Sequence, residues 1–147
     1  VKRISRSAIV ERGAAELYAL VQDIESYPGF LPWCTGAQVR ERTAERTVAT
    51  LSVGVGAVRQ SLTTENANFP ARLIRMKLLE GPFRRFSGTW RFTPLGAHAA
   101  KVEFALEYEF PNRAAAALLE PVFHRIADTI VEAFARRAGA GHGKVAR

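Results

Sequence analysis

After Cys34 the apolar positions recur at every second residue with few interruptions as far as Phe110, and on either side of that run they recur every three or four. The long middle therefore predicts strands and the two ends predict helices. Ala49, Leu51, Val53 and Val55 share one face of a strand that turns at Gly54 and Gly56, and Ala37 and Val39 lie in the strand before it. Val58 to Ala67 alternates weakly, Asn68-Phe69-Pro70 predicts a turn, and Ile74, Met76 and Leu78 then oppose Arg75 and Lys77. Past the Glu80-Gly81-Pro82 turn, Phe86, Gly88, Trp90 and Phe92 oppose Ser87, Thr89, Arg91 and Thr93. After a turn over Pro94 to His98, Val102, Phe104, Leu106, Tyr108 and Phe110 oppose Lys101, Glu103, Glu107 and Glu109. Turns this short allow hairpins and exclude parallel crossovers, so the strands form an antiparallel meander with one dry face.

Helices must cover that face. Upstream, a strand over Arg3 to Val10 leads into Leu17, Leu20, Val21 and Ile24 at helical spacing, with Pro28 as the stop. Downstream, Asn112 is placed to cap a long helix whose stripe is Ala115, Leu119, Val122, Phe123, Ile126, Ile130 and Phe134. Pro121 predicts a kink near Ala117 to Glu120 or a restart at the proline. The domain is expected to span residues 1–138, with 139–147 as a mobile tail.

Tyr27-Pro28-Gly29-Phe30-Leu31-Pro32-Trp33-Cys34 fits neither period. Two prolines keep it out of a regular helix or a central strand, while Tyr27, Phe30, Leu31 and Trp33 carry more apolar surface than a loop requires. The segment must lean on the rest of the molecule, as a plug on a core or as the wall of a cavity.

A chain of 147 residues with 48% hydrophobic content fits one domain, which buries roughly 68–70% of its unfolded surface without needing disulfides. Its one cysteine cannot pair within the chain, and its uncharged runs stop short of the ~18 residues of a membrane span, so a cytoplasmic protein is expected. The formal net charge of +7, with Arg136 and Arg137 near one end, suits contact with polyanions such as RNA or an anionic membrane surface.

Candidate chemistry is sparse. His98, His124 and His142 lie in no nucleophile or zinc motif. Glu120, His124 and Asp128 share a helix face by spacing, but a solvated polar face beside Arg125 explains them, and no metal is assigned. Cys34 beside Trp33 reads as a small buried hydrophobe with no histidine placed to activate it. No catalytic residue is assigned.

The order strand, short helices, antiparallel strands, long helix is that of a helix-grip fold, in which a curved sheet of about seven strands wraps a C-terminal helix. At the level of motifs the chain resembles the coenzyme Q-binding and ribosome association toxin (RatA) branch of the polyketide cyclase, START-like (Bet v 1-like) superfamily. The resemblance is carried by Ile4-Ser5-Arg6-Ser7, by Tyr18, Leu20-Val21 and Asp23, and by the Tyr27–Cys34 block. It continues through Glu80-Gly81-Pro82-Phe83, Gly88-Thr89-Trp90-Arg91-Phe92-Thr93-Pro94-Leu95 and the stretch from Phe123 to Phe134.

From periodicity alone the inward rows read as a filled core. The resemblance implies instead a tunnel between sheet and helix for a hydrophobic ligand. The expected lining is Phe86, Trp90, Phe92, Phe104 and Tyr108 from the sheet and Leu119, Phe123, Ile126 and Ile130 from the helix, with Tyr27, Phe30, Leu31 and Trp33 as the mouth. Tyr108, Trp90 and Arg84 are the polar groups expected to orient the ligand, and Gly88 marks a sheet bend or a close ligand approach. The resemblance implies no required cofactor. It implies a non-enzymatic carrier of ubiquinone or a similar prenylquinone that supports respiratory electron transport. The alternatives are association with the large ribosomal subunit that blocks subunit joining, and a cyclase activity.

Overall fold

The computed structural model describes residues 1–141. Its strands are β1 (Lys2–Val10), β2 (Cys34–Arg42), β3 (Arg46–Val55), β4 (Val58–Phe69), β5 (Leu73–Glu80), β6 (Arg85–Gly96) and β7 (Ala99–Glu109). They form one antiparallel sheet in the order β1-β7-β6-β5-β4-β3-β2. Helix α1 (Ala14–Gln22) and a 3-10 helix (Ile24–Gly29) lie between β1 and β2, and α2 (Arg113–Gly141) follows β7.

Because β1 and β2 occupy opposite edges of the sheet, the connector between them must cross its open end. Register shifts in β2, in β4 at Thr63/Thr64 and in β6 at Pro94/Gly96 insert bulges, which bend and twist a sheet. The inward row of β7 is nearly solvent-free, with Ala100, Val102, Phe104, Leu106 and Tyr108 all buried. It packs with β1 against α2, whose buried stripe runs through Leu119, Val122, Phe123, Ile126, Ile130 and Phe134. The Asn112 side chain accepts a hydrogen bond from the Ala115 N–H at 2.8 Å, so the predicted cap is in place.

Several boundaries differ from the sequence reading, each for a local reason. Helix α2 runs unbroken through Pro121. The ring lies on the exposed face, so the cost is one missing backbone bond and no buried clash. The helix also continues past Ala138 to Gly141, and residues 142–147 of the expected tail lie outside the described residues. Pro28 sits inside the 3-10 helix, whose φ range matches that of proline, and the Tyr27 carbonyl accepts the Leu31 N–H at 2.9 Å beyond it. β4 continues through Asn68 because that side chain is buried and donates to Thr47 Oγ1 at 2.9 Å; the turn falls at Pro70–Arg72, with Ala71 at φ 63°. β6 continues through Pro94 because β5 pairs only as far as Arg91, which leaves that edge free of a neighbour needing the proline's N–H.

Phe134 joins α2 to both the connector and the sheet. Its ring centroid lies 5.3 Å from that of Tyr27, 5.0 Å from Phe30 and 5.2 Å from Trp90, all edge-on. Phe134→Ala should therefore cost about 3–5 kcal/mol, against about 1 kcal/mol for Asn112→Ala. Urea midpoints at unchanged slope measure both, and a Phe134→Ala loss no larger than that of the cap would mean the ring is not holding these elements together.

Candidate functional site

The bent sheet and α2 leave a cavity of about 80 Å³ between them. β3 contributes Ala49, Leu51 and Val53, β4 contributes Leu62, Thr64 and Asn66, and β5 contributes Ile74 and Met76. Phe86 and Trp90 reach it from β6 and Phe104 and Leu106 from β7, facing Phe123, Ile126 and Ile130 of α2. The connector borders it with Val21, Gln22, Ile24, Tyr27 and Trp33. None of the lining residues is charged.

Of the residues expected from the sequence, the structure brings Tyr27, Trp33, Phe86, Trp90, Phe104, Phe123, Ile126 and Ile130 together around this space. Leu31, Phe92, Tyr108 and Leu119 are buried but outside the lining: Phe92 stacks at 6.3 Å on Trp90, and Tyr108 lies 5.8 Å from the Phe83 ring. Phe30 faces a different space, described below.

Two of the three expected orienting groups lie outside this lining. The Tyr108 hydroxyl donates to Glu120 Oε2 at 2.9 Å, and burial, followed by that carboxylate, raises the phenol above its ordinary range. Arg84 lies outside the sheet, 3.6 Å from Glu109. Gly88 does not open the wall to a ligand either. A Cβ built there would stand 2.6 Å from Met76 Cε and 2.9 Å from Leu106 Cδ2, so two lining side chains already fill its place.

Apart from Gln22 of the connector, the polar residues of the lining come from a strand whose alternation was too weak to single out. Thr64 Oγ1 donates to Asn66 Oδ1 at 2.8 Å, and both residues are buried. Their neighbours in register, Ala49 and Thr47 of β3, point the same way. The signal available in the sequence was this pairing with an apolar β3 row, since Leu62, Thr64 and Asn66 keep strict period two.

Beyond the connector lies a second space, an open groove of about 520 Å³ between Phe30, Pro32 and Trp33, the Gly54–Gly56 turn, and Arg125, Thr129, Glu132, Ala133 and Arg136 of α2. Trp33 lines both spaces. It is the partition between them, held by its own carbonyl, which accepts the Gly54 N–H at 2.9 Å. Phe30 is fixed from the helix side, with the Arg137 guanidinium 5.1 Å from its ring centroid. The Tyr27 hydroxyl donates to the Val21 carbonyl, and burial pushes its ionisation far up. Cys34 is buried, its thiol 3.3 Å from the Gly36 carbonyl, and burial raises its pKa.

On the outer face of α2, Asp128 accepts from Arg6 and lies 3.0 Å from His124 Nδ1, while Glu120 accepts from Tyr108 and stands 3.6 Å from Lys2. Those carboxylates are engaged in ion pairs rather than turned toward one another.

The chain belongs to the family described as polyketide cyclase / dehydrase and lipid transport, whose model matches residues 10–135. It is 39% identical over 92% of its length, and 86% of the relative's, to the ribosome association toxin RatA of Escherichia coli strain K12. It is 28% identical, over 97% of its length and 61% of the relative's, to the mitochondrial coenzyme Q-binding protein COQ10 homolog B of Xenopus laevis. Among solved structures, the 18 kDa protein CC1736 of Caulobacter crescentus matches at a TM-score of 0.75 and 32% identity, over 97% of this chain and 99% of that one. The Zhui aromatase/cyclase from Streptomyces sp. R1128 matches at a TM-score of 0.84 and 20% identity, with 93% of each chain covered. At that identity the aromatase/cyclase supports the helix-grip fold alone.

A docked Trp33 should shield its neighbour. At pH 8 a thiol with raised pKa holds less thiolate than a free one, so iodoacetamide should alkylate Cys34 far more slowly than it does free cysteine, and the rate should climb as pH passes 9. Trp33→Ala should speed the reaction by an order of magnitude or more by opening the partition. A native thiol that reacts at the free rate would mean that the segment does not seal the cavity.

Proposed function

We propose that this chain binds a hydrophobic ligand without chemical turnover, and that the ligand is a polyprenyl quinone such as ubiquinone. The observation that carries the reading is the uncharged, mostly apolar cavity between sheet, α2 and connector. Ligand sites are of this kind, apolar with a few polar groups, but they commonly measure about 300–1,000 Å³. At about 80 Å³ the cavity is the closed form of the site, and a ligand enters as the Trp33 segment moves outward and the groove behind it joins the interior. Each buried CH₂ contributes about 0.8 kcal/mol, so a few isoprene units give affinity without polar recognition. The relative bearing the coenzyme Q-binding name supports the choice of ligand.

Turnover would need an acid or base within reach of the ligand. Among the described residues, no histidine, carboxylate, lysine or arginine lines the cavity, and its tyrosine hydroxyl is engaged with a backbone carbonyl. Work at the surface of a respiratory membrane from the cytoplasmic side fits the excess of 21 Lys and Arg over 14 Asp and Glu.

A second reading has its own support. Relatives at 38–39% identity carry the name ribosome association toxin, and the basic composition suits contact with the large ribosomal subunit through rRNA phosphates. An apolar cavity and a basic surface do not exclude one another, so one chain can carry both activities.

Their physics separates them. Organic extraction of protein purified from its own host should yield a prenylquinone, and short-chain quinones should quench Trp33 and Trp90, both of which line the cavity. Across a salt series quinone binding should hold or strengthen, while co-sedimentation with large subunits should fall steeply and respond to charge reversal at Arg136 and Arg137. Empty extracts with no quenching would remove the carrier reading. Tight, salt-resistant co-sedimentation that blocks subunit joining would make the ribosome the primary partner.

A further inference from the structure

The cavity is not uniformly apolar: besides the half-buried Gln22 amide of the connector, two buried side chains bring unpartnered polar groups to it. Trp33 is 6% exposed, and its Nε1–H is buried with no hydrogen-bond partner. Asn66 is 8% exposed, and its Oδ1 is occupied by the Thr64 hydroxyl at 2.8 Å. That bond fixes the orientation of the amide and leaves its NH₂ group to donate, with no acceptor for it among the hydrogen bonds of the described residues. The nearby hydroxyls are already used: Tyr27 donates to the Val21 carbonyl and Tyr108 to Glu120. What remains on the buried part of the lining is a pair of donors, one on the sheet wall and one on the partition at the mouth, in a space with no charge on its walls and with the half-buried Gln22 amide at its connector side.

Buried donors are nearly always paired, and the unpartnered Trp33 N–H, with the Asn66 amide also lacking an acceptor, marks where an acceptor from outside belongs. A charged head does not meet that requirement, since neither an anion nor a cation would find a counter-charge in the lining. A pure hydrocarbon leaves both donors unpaired. A neutral head with carbonyl oxygens satisfies both, and a quinone ring carries two of them on opposite edges of a flat apolar disc. Resting on the carrier reading above, we propose that the cavity is the seat of the ligand's head group, with one carbonyl accepting from the Asn66 amide and another from the Trp33 indole N–H as the partition closes. Thr64 is then a positioning residue, which acts by holding the amide in its donating orientation.

The test compares two ligands of equal tail length in the purified full chain: a short-chain ubiquinone and the corresponding isoprenoid hydrocarbon without the ring. Trp33→Phe keeps the aromatic wall and removes only the N–H. The double variant Asn66→Leu with Thr64→Val removes both members of the buried pair together, which avoids stranding one of them. Thermal melts confirm that each variant is folded, and if the double variant fails to fold, Trp33→Phe alone carries the comparison. Each variant should weaken quinone binding by about three- to tenfold, the range of one ordinary hydrogen bond, while leaving hydrocarbon binding unchanged. The Trp33 indole N–H resonance should also move downfield with the quinone and not with the hydrocarbon. If both ligands bind the native chain equally and every variant matches it, the head-group site is refuted while the carrier reading survives. If neither ligand binds, both fall together.

Discussion

One long helix has to cover a sheet wide enough for seven strands, and the geometry of that mismatch organises the molecule. α2 packs on β1 and β7 at one side of the sheet, and the bulges in β2, β4 and β6 curl the remaining strands around it. The curl brings β3, β4 and β5 over the helix, and the residual gap between them is the cavity. Filling it would take larger side chains at Ala49, Thr64 or Gly88; at Gly88 a single methyl already collides with Met76 and Leu106. The same topology sets β1 and β2 at opposite edges, so the connector between them is stretched across the open end and becomes its closure.

The closure is made of separable parts. Tyr27 and Phe30 are held by Phe134, and Phe30 also by Arg137, so this half is anchored on α2. Trp33 is anchored instead on the sheet, through the Gly54 N–H, and only its side chain divides cavity from groove. A large ring with no hydrogen bond of its own can swing at less cost than a segment pinned at both ends. The arrangement keeps the apolar interior from water while leaving a route into it, which suits the handling of a ligand that water does not dissolve.

Most of the fold was legible because its strands obey period two and its helix a stripe, and because turn residues punctuate them. The limits of legibility are local. Pro28 read as a stop, Pro94 as the start of a turn and Pro121 as a kink or restart, yet each sits where the missing N–H costs little: in a short 3-10 helix, beyond the reach of β5, and on the exposed side of α2. Alternation correctly turned Tyr108 and Phe92 inward. It could not tell which inward side chains meet the gap and which pack on their neighbours, because that depends on how far the sheet has curled at each strand. β4 was the least legible, since Thr64, Asn66 and Asn68 turn polar groups to the dry side and mask the pattern; the same residues supply the cavity's polarity. Phe83 was visible only as part of a motif, although its ring lies 4.9 Å from each of Phe86, Phe110 and Phe123 and ties β6, the end of β7 and α2 together.

The central claim is that a closed cavity opens by local release of the Trp33 segment, with the sheet and α2 left intact. Native-state hydrogen exchange at the Leu31 and Cys34 amides, bonded to Tyr27 and Leu31 carbonyls at 2.9 Å each, reads that release directly. Their opening free energy should lie well below that of the β6–β7 ladder and should rise when a short-chain quinone is bound, with the ladder amides changing far less. Exchange of these two amides only through global unfolding, or protection unmoved by saturating ligand, would contradict the account.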